Sequence, residues 1–162
     1  MMKSRREYKT YGRSRSVRLP DFDYDSPDVQ YAITVCCSDH QPMLQEPETA
    51  QTAFETFLEV LPNKGYRILA LCVMPDHVHL VLLSLDGCVK LGRAIGAAKS
   101  LVLTRVGRGL IAWQARFRDH IVRCTEDINN QIRYTVNNPV EAGLIDDWQE
   151  WPWTYVHDAS LR

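Results

Sequence analysis

Two histidines, His77 and His79, stand two positions apart at the start of an apolar run that continues through Leu83. In an extended strand successive side chains point to opposite faces, so both imidazoles project from one side and Val78 and Leu80 from the other. Two ring nitrogens can then converge on a divalent cation; the alternative is a pair satisfied by hydrogen bonds on a partly exposed sheet face. Farther along, Tyr134 lies two residues beyond Ile132, about 200° around a helix, and so points away from the stripe Ile128, Ile132 and Val136. Asn138 follows one turn later on the same face and can present its amide oxygen beside the phenol. By itself that pair reads equally as an exposed tyrosine and a helix-ending asparagine before Pro139. Two imidazoles, one amide oxygen and waters suit Mn²⁺, or Mg²⁺ with its waters retained, and leave positions open for phosphate oxygens. Such an ion withdraws charge from a phosphodiester and helps a tyrosinate attack phosphorus, dividing strand transfer into two displacements through a covalent intermediate.

These residues need elements to hold them. Residues 29–37 are β-branched and aromatic enough for a strand, and residues 47–61 place Ala50, Phe54, Phe57, Leu58 and Leu61 at helical spacing. Residues 66–73 and 77–83 read as two strands joined by Met74-Pro75-Asp76, a break short enough only for an antiparallel hairpin. Residues 90–106 repeat apolar side chains at Leu91, Ile95, Ala98, Val102 and Val106, giving a second amphipathic helix, and residues 113–122 read as a last strand. The order β-α-β-β-α-β predicts an α+β, ferredoxin-like fold, a four-stranded antiparallel sheet with two helices on one face and the other face free to bind a ligand. A C-terminal helix carrying Tyr134 follows, with Thr125 as its expected N-cap, Glu126 and Asp127 in its first turn and Pro139 as its stop. The aromatic tail, with Trp148, Trp151, Trp153 and Tyr155, shows no period and is expected to staple the chain onto its own core.

Length and charge set the frame. With 162 residues, 45% of them hydrophobic and 24% charged, the chain has room for one globular domain, expected over residues 29–162 behind a basic arm at 1–28. The longest apolar stretches, 68–73 and 78–83, fall far short of the roughly 20 residues of a bilayer span, so no membrane association is expected. The five cysteines are odd in number and lack Cys-x-x-Cys spacing, which fits reduced buried thiols and a cytoplasmic protein. The net charge of −1 is unevenly distributed. Residues 1–20 carry seven basic side chains against Glu7, residues 21–60 nine acidic ones and no Lys or Arg, and residues 90–123 eight basic ones against Asp119. A polyanion could bind one such basic face; ordinary solvation is the other reading.

Three segments, Val73-Met-Pro-Asp-His-Val-His-Leu-Val81, Trp113-Gln-Ala-Arg-Phe-Arg-Asp-His120 and Tyr134-Thr-Val-Asn-Asn-Pro-Val-Glu-Ala-Gly-Leu144, resemble those of the single-tyrosine HUH transposases, both the insertion-sequence type and the REP-associated relatives. The resemblance spans about residues 29–155. It implies a small single-strand DNA transposase in which His77 and His79 are the metal ligands, Tyr134 is the nucleophile that takes the 5′ phosphate, and Asn138 occupies the third-ligand position, where some members carry Gln. It also implies a homodimer in which the tyrosine helix of one subunit docks on the histidine pair of the other, and recognition of DNA hairpins by basic surface. A domesticated relative that binds hairpin DNA or RNA without transposing is the competing expectation.

Secondary contacts are less defined. Arg93, Lys99 and Ser100 on the second helix could reach a phosphate backbone, or simply be solvated. In the last strand, Gln114, Arg116, Arg118 and His120 share one face by alternation while Trp113, Phe117 and Ile121 share the other. Arg116 and Arg118 are thereby candidate DNA contacts or part of a dimer edge. An RNA-recognition sheet of the same strand order would need aromatic stacking residues where His77 and His79 stand.

Overall fold

The computed structural model describes residues 27–107, 109–122 and 128–157. They form β1 (Gln30–Cys36), α1 (Pro47–Asn63), β2 (Tyr66–Val73), β3 (His77–Ser84), α2 (Leu91–Val106), β4 (Arg118–Ile121), α3 (Ile128–Glu141) and β5 (Thr154–Val156). The expected β-α-β-β-α-β succession is present, and all pairings are antiparallel in the spatial order β4-β1-β3-β2-β5. The sheet therefore has five strands rather than four. The tail supplies the fifth: Thr154, Tyr155 and Val156 pair with Cys72, Leu71 and Ala70 along the outer edge of β2. The basic arm, apart from its last two residues, lies outside the described residues.

Alternation along the central strands sorts the two faces. Tyr31, Ile33 and Val35 of β1 and Val78, Leu80 and Leu82 of β3 pack against Ala50, Ala53, Phe57 and Leu61 of α1 and Leu91, Ile95, Ala98 and Val102 of α2. Pro47 starts α1, where a missing N–H costs nothing, and Glu48 sits in its positive first turn. The link from α1 to β2 passes through Gly65 at φ +86, where a Cβ would lie 2.6 Å from the Cα of Cys88, so only glycine fits.

The opposite face was expected to be free, and α3 covers part of it. Ile132 and Val136 of α3 pack on Ala70, Val81 and Val156, with Leu69, Ile128 and Trp148 at the margin. Pro139 does not stop this helix, which continues to Glu141. Proline offers no N–H to the Thr135 carbonyl, but the Asn138 amide nitrogen stands 3.4 Å from that oxygen and 2.8 Å from the carbonyl of Tyr134. The end comes at Gly143, φ +69, where Leu144 N–H donates to Pro139 O and Gly143 N–H to Val140 O, a Schellman termination. The expected Thr125 cap, with Glu126 and Asp127, lies outside the described residues.

The last core strand is also shorter than its pattern suggested. Trp113 forms an isolated bridge with Cys37, whereas ladder pairing with β1 resumes only at Arg118 opposite Thr34. Two residues loop out between these pairings, and the exposed Ala115 and Arg116 lie in that loop. Only Arg118 and His120 keep the expected shared face. Cys36, Cys37 and Cys72 are buried free thiols and Cys88 a half-buried one. Among the described residues no helix is long and apolar enough to cross a membrane.

Candidate active site

Strand alternation turns His77 and His79 toward the face that carries α3, while Val78 and Leu80 enter the core beneath α1 and α2. Cross-strand pairing sets their neighbours. Arg118, Thr34, His79, Cys72 and Thr154 form one row across all five strands, and Cys36 lies opposite His77. The turn leading into His77 is pinned from outside: Cys37 N–H donates to Asp76 O and Leu44 N–H to Pro75 O, both at 2.8 Å. The tail holds the end of β2, since Val73 N–H donates to Trp153 O at 3.0 Å and the Trp151 indole N–H donates to Val73 O at 2.9 Å.

Within this frame the two Nε2 atoms of His77 and His79 stand 2.9 Å apart, with the rings edge to face at 88°. The Nδ1 of His77 lies 2.6 Å from Asp76 Oδ1, and the Nδ1 of His79 lies 3.2 Å from the Thr34 hydroxyl. His40 approaches the other oxygen of Asp76 at 3.7 Å. Burial pushes the pKa of His79 well below the usual histidine value, the nearby His77 adds to that, and a hydrogen bond with the Asn138 side chain pulls the other way. Burial opposes ionisation of Asp76, yet the hydrogen bond and charge of His77, with His40 beyond, outweigh it and hold the carboxyl below its usual range.

The tyrosine helix completes the constellation from the same chain. The Tyr134 ring lies edge-on to His79, with centroids 6.0 Å apart, and the residue is 42% exposed. Asn138 is only 6% exposed. Its amide nitrogen faces two main-chain carbonyls, which fixes the flip of the amide and turns its oxygen toward His79. Among the described residues no group of three His, Cys, Asp or Glu side chains could hold a metal ion. The Asn138 side chain meets the pair at His79.

The remaining sequence-predicted residues divide by position. Arg118 shares the row of His79 two strands away, on the part of the face away from the α3 contact. Arg116 is exposed in the loop before β4. Arg93, Lys99 and Ser100 belong to α2, on the far side of the sheet from the histidines, so they are not brought together with the pair. Arg93 and Ser100 are exposed, but the Lys99 ammonium donates to the Gln114 carbonyl at 2.7 Å, and burial lowers its pKa.

Sequence reasoning passed over Thr34, His40 and Asp76. Asp76 directly precedes the first histidine and could have been noticed. Thr34 is placed by pairing register between distant strands, and His40 by a turn in which both Asp39 and His40 adopt φ +52, neither of which carries a local signal.

Comparison with known proteins follows the same outline. The profile of a family described as "Transposase IS200 like" matches residues 25–108, which include the histidine pair and stop short of α3. An Escherichia coli K12 REP-associated tyrosine transposase is 27% identical over 105 residues, 65% of this chain and 63% of the relative. A Haemophilus influenzae protein assigned to the same group is 25% identical over 105 residues, 57% of this chain and 60% of the relative. The match thus spans about three-fifths of each relative's length. A solved REP-associated tyrosine transposase bound to a REP hairpin superposes with a TM-score of 0.72 at 23% identity, covering 90% of this chain and 87% of that one. A Deinococcus radiodurans protein assigned as a transposase superposes with a TM-score of 0.51 at 20% identity over 75% of this chain and 95% of its own. With the family profile matching more than half of its residues, the chain belongs to the IS200-like transposase family.

Proposed function

We propose that this chain cuts and rejoins single-stranded DNA beside hairpins, with Tyr134 as nucleophile and His77, His79 and Asn138 holding Mg²⁺ or Mn²⁺. The observation that carries this reading is the meeting of Tyr134 with His79 across two elements far apart in sequence. The donor set fits the ion. Two nitrogens 2.9 Å apart match the span between ligands that each lie about 2.1 Å from one centre at roughly a right angle. Both imidazoles are presented to it by partners on their other nitrogens.

When bound, the ion supplies charge withdrawal from the scissile phosphodiester. The chain's residues do the rest. The Tyr134 phenol loses its proton and its oxygen bonds to phosphorus; the 3′ oxygen leaves, giving a 5′-phosphotyrosine and a free 3′ hydroxyl. A second 3′ hydroxyl then attacks the same phosphorus, and the tyrosine departs with its oxygen and recovers a proton. Arg118, on the row of His79, and exposed Arg116 neutralise the backbone of the incoming strand, while Arg93 and Ser100 serve a more distant stretch of it. Lys99 is the weakest member of the set, being engaged with Gln114. The hairpin preference rests on the REP hairpin bound by the solved relative. The reaction belongs in the cytoplasm, where the DNA and the reduced thiols are.

The resemblance implied a homodimer exchanging tyrosine helices; the ring contact inside one chain favours a site completed by its own tyrosine. One experiment tests both points. Purified protein is mixed with labelled hairpin-bearing single strands and MnCl₂ and run on a denaturing gel. A covalent adduct that disappears in Tyr134→Phe is expected, and mixing Tyr134→Phe with the double variant His77→Ala, His79→Ala should not restore it. Restoration by mixing would establish the shared site. Hairpin binding with no adduct from the native chain would replace the enzyme by a hairpin-binding module.

A further inference from the structure

Beside Tyr134, α3 borders a cavity of about 460 Å³, within the size range of small-molecule sites. Ile132, Val136 and Trp148 give it apolar walls, while Arg133, Asn137 and Glu141, successive residues of one i, i+4 row, supply its polar groups. Trp148 enters from outside the helix, at the start of the short 3-10 turn Trp148–Glu150, where the Asp147 side chain accepts from Gln149 N–H at 3.0 Å. Its indole differs from the other three. The ring N–H of Trp113 donates to Lys99 O, that of Trp151 to Val73 O and that of Trp153 to Gln51 Oε1, at 2.9–3.2 Å. The ring N–H of half-buried Trp148 has no acceptor among the described residues, and the side chains of Arg133, Asn137 and Glu141 have no hydrogen bond or ion pair among them either. An indole N–H withdrawn from bulk water normally has a partner, so the cavity offers a guest an apolar wall and four polar groups that the fold does not use.

Charge gives the cavity a direction. Arg133 stands next to Tyr134, whereas Glu141 lies about two turns, roughly 12 Å, farther along the axis, a span that one nucleotide covers from phosphate to base edge. The first end attracts a phosphate and the second repels it. We propose that the cavity takes one unstacked base of the single strand, belonging to a nucleotide that flanks the phosphate attacked by Tyr134. The phosphate side of that nucleotide lies at Arg133, and its base lies between α3 and Trp148, pointing toward Glu141. All four bases carry an N–H on the pairing edge for the Glu141 carboxylate, and the Trp148 N–H and the Asn137 amide address acceptors of the same nucleotide. Extrusion costs least from a strand that is already unpaired. Trp148 and Asn137 thereby determine which sequence beside the cut is held. This inference rests on Tyr134 being the nucleophile, but its readout is binding and requires neither metal nor cleavage.

The test measures binding of the full chain, in EDTA, to a fluorescently labelled DNA hairpin with unpaired flanks, each flank nucleotide being replaced in turn by an abasic residue. Expected is one position at which loss of the base weakens binding about 5- to 100-fold, the worth of a base held on an aromatic side chain. Trp148→Phe, which keeps an aromatic wall but no N–H, and Asn137→Ala should each weaken binding of the intact strand about 2- to 10-fold, as for one lost hydrogen bond, and have no further effect on the strand abasic at that position. Arg133→Ala should weaken both strands alike and lower the salt dependence by about one charge. Abasic strands all bound as tightly as the intact one would overturn the proposal. So would Trp148→Phe and Asn137→Ala chains that melt like the native one and lose affinity equally for intact and abasic strands. A covalent adduct with MnCl₂ from a chain giving either of those results would leave the cutting reaction standing without the base site. Base-dependent binding that responds to Trp148→Phe, with no adduct in MnCl₂, would uphold the base site and overturn the cutting reaction.

Discussion

Replacing Asn138 by alanine separates what this side chain does for its helix from what it does for the site. The residue is 6% exposed, and its amide nitrogen donates to the carbonyls of Tyr134 at 2.8 Å and Thr135 at 3.4 Å. Pro139 has no N–H to offer the second of these oxygens. Alanine therefore removes the side-chain donor that the described residues place at the carbonyl Pro139 leaves without its N–H, a loss of about 1–3 kcal/mol. At about 2–4 °C per kcal/mol for a chain of this size, the melting temperature should fall by ~2–12 °C. Thermal denaturation followed by circular dichroism measures this, with Arg133→Ala, exposed on the same helix, as a control expected to stay within about 0.5 kcal/mol. Asn138→Asp provides the separation: it keeps an oxygen toward His79 but points an acceptor at two carbonyls, so stability should fall at least as far while Mn²⁺ affinity is kept or rises. An Asn138→Ala chain as stable as the native one, with unchanged Mn²⁺ affinity, would refute both roles.

Further expectations follow from the same groups. His79 has a folded pKa below its unfolded one, so the unfolded chain takes up a proton that the folded chain refuses, and stability should fall as pH drops below about 6.5, by up to ~1.4 kcal/mol per pH unit. Asp76, also lowered, adds a second loss below about pH 4, in the window between its unfolded and folded values. Urea denaturation across this range checks both, and a flat profile from pH 7 to pH 5 would contradict the buried neutral imidazole. The thiols of Cys37 and Cys72 are pushed up to about 12 by burial, so iodoacetamide at pH 8 should leave both unmodified in the native chain and label them only after unfolding, as read by mass spectrometry.

Much of this arrangement could be read from spacing because the central elements obey a single period each. The strands at 30–36, 66–73 and 77–84 are enclosed by helices, so unbroken apolar runs and clean alternation coincide with burial, and the orientation of His77 and His79 followed directly. The helix holding Tyr134 and Asn138 was equally legible, since their face is fixed by the stripe they avoid. What escaped depends on distant partners. β5 carries no alternation strong enough to announce a strand and exists because β2 has an edge to offer. The passage of α3 through Pro139 depends on a side chain standing in for a missing amide, which propensity alone does not foresee. Lys99 looked like a phosphate contact by charge, but its nearest oxygen is a carbonyl of its own chain.

The attachment of residues 151–153 to Val73 gives the C-terminal segment a reach out of proportion to its length. Both main-chain polar groups of Val73 are occupied by that segment, and Val73 is the last residue before the three that deliver His77. Loosening at the rim of the sheet is thereby transmitted to the imidazoles through a lever only a few bonds long. An affinity tag or fusion joined near residue 157 would pull on that lever, so a handle placed there is mechanically coupled to the chemistry.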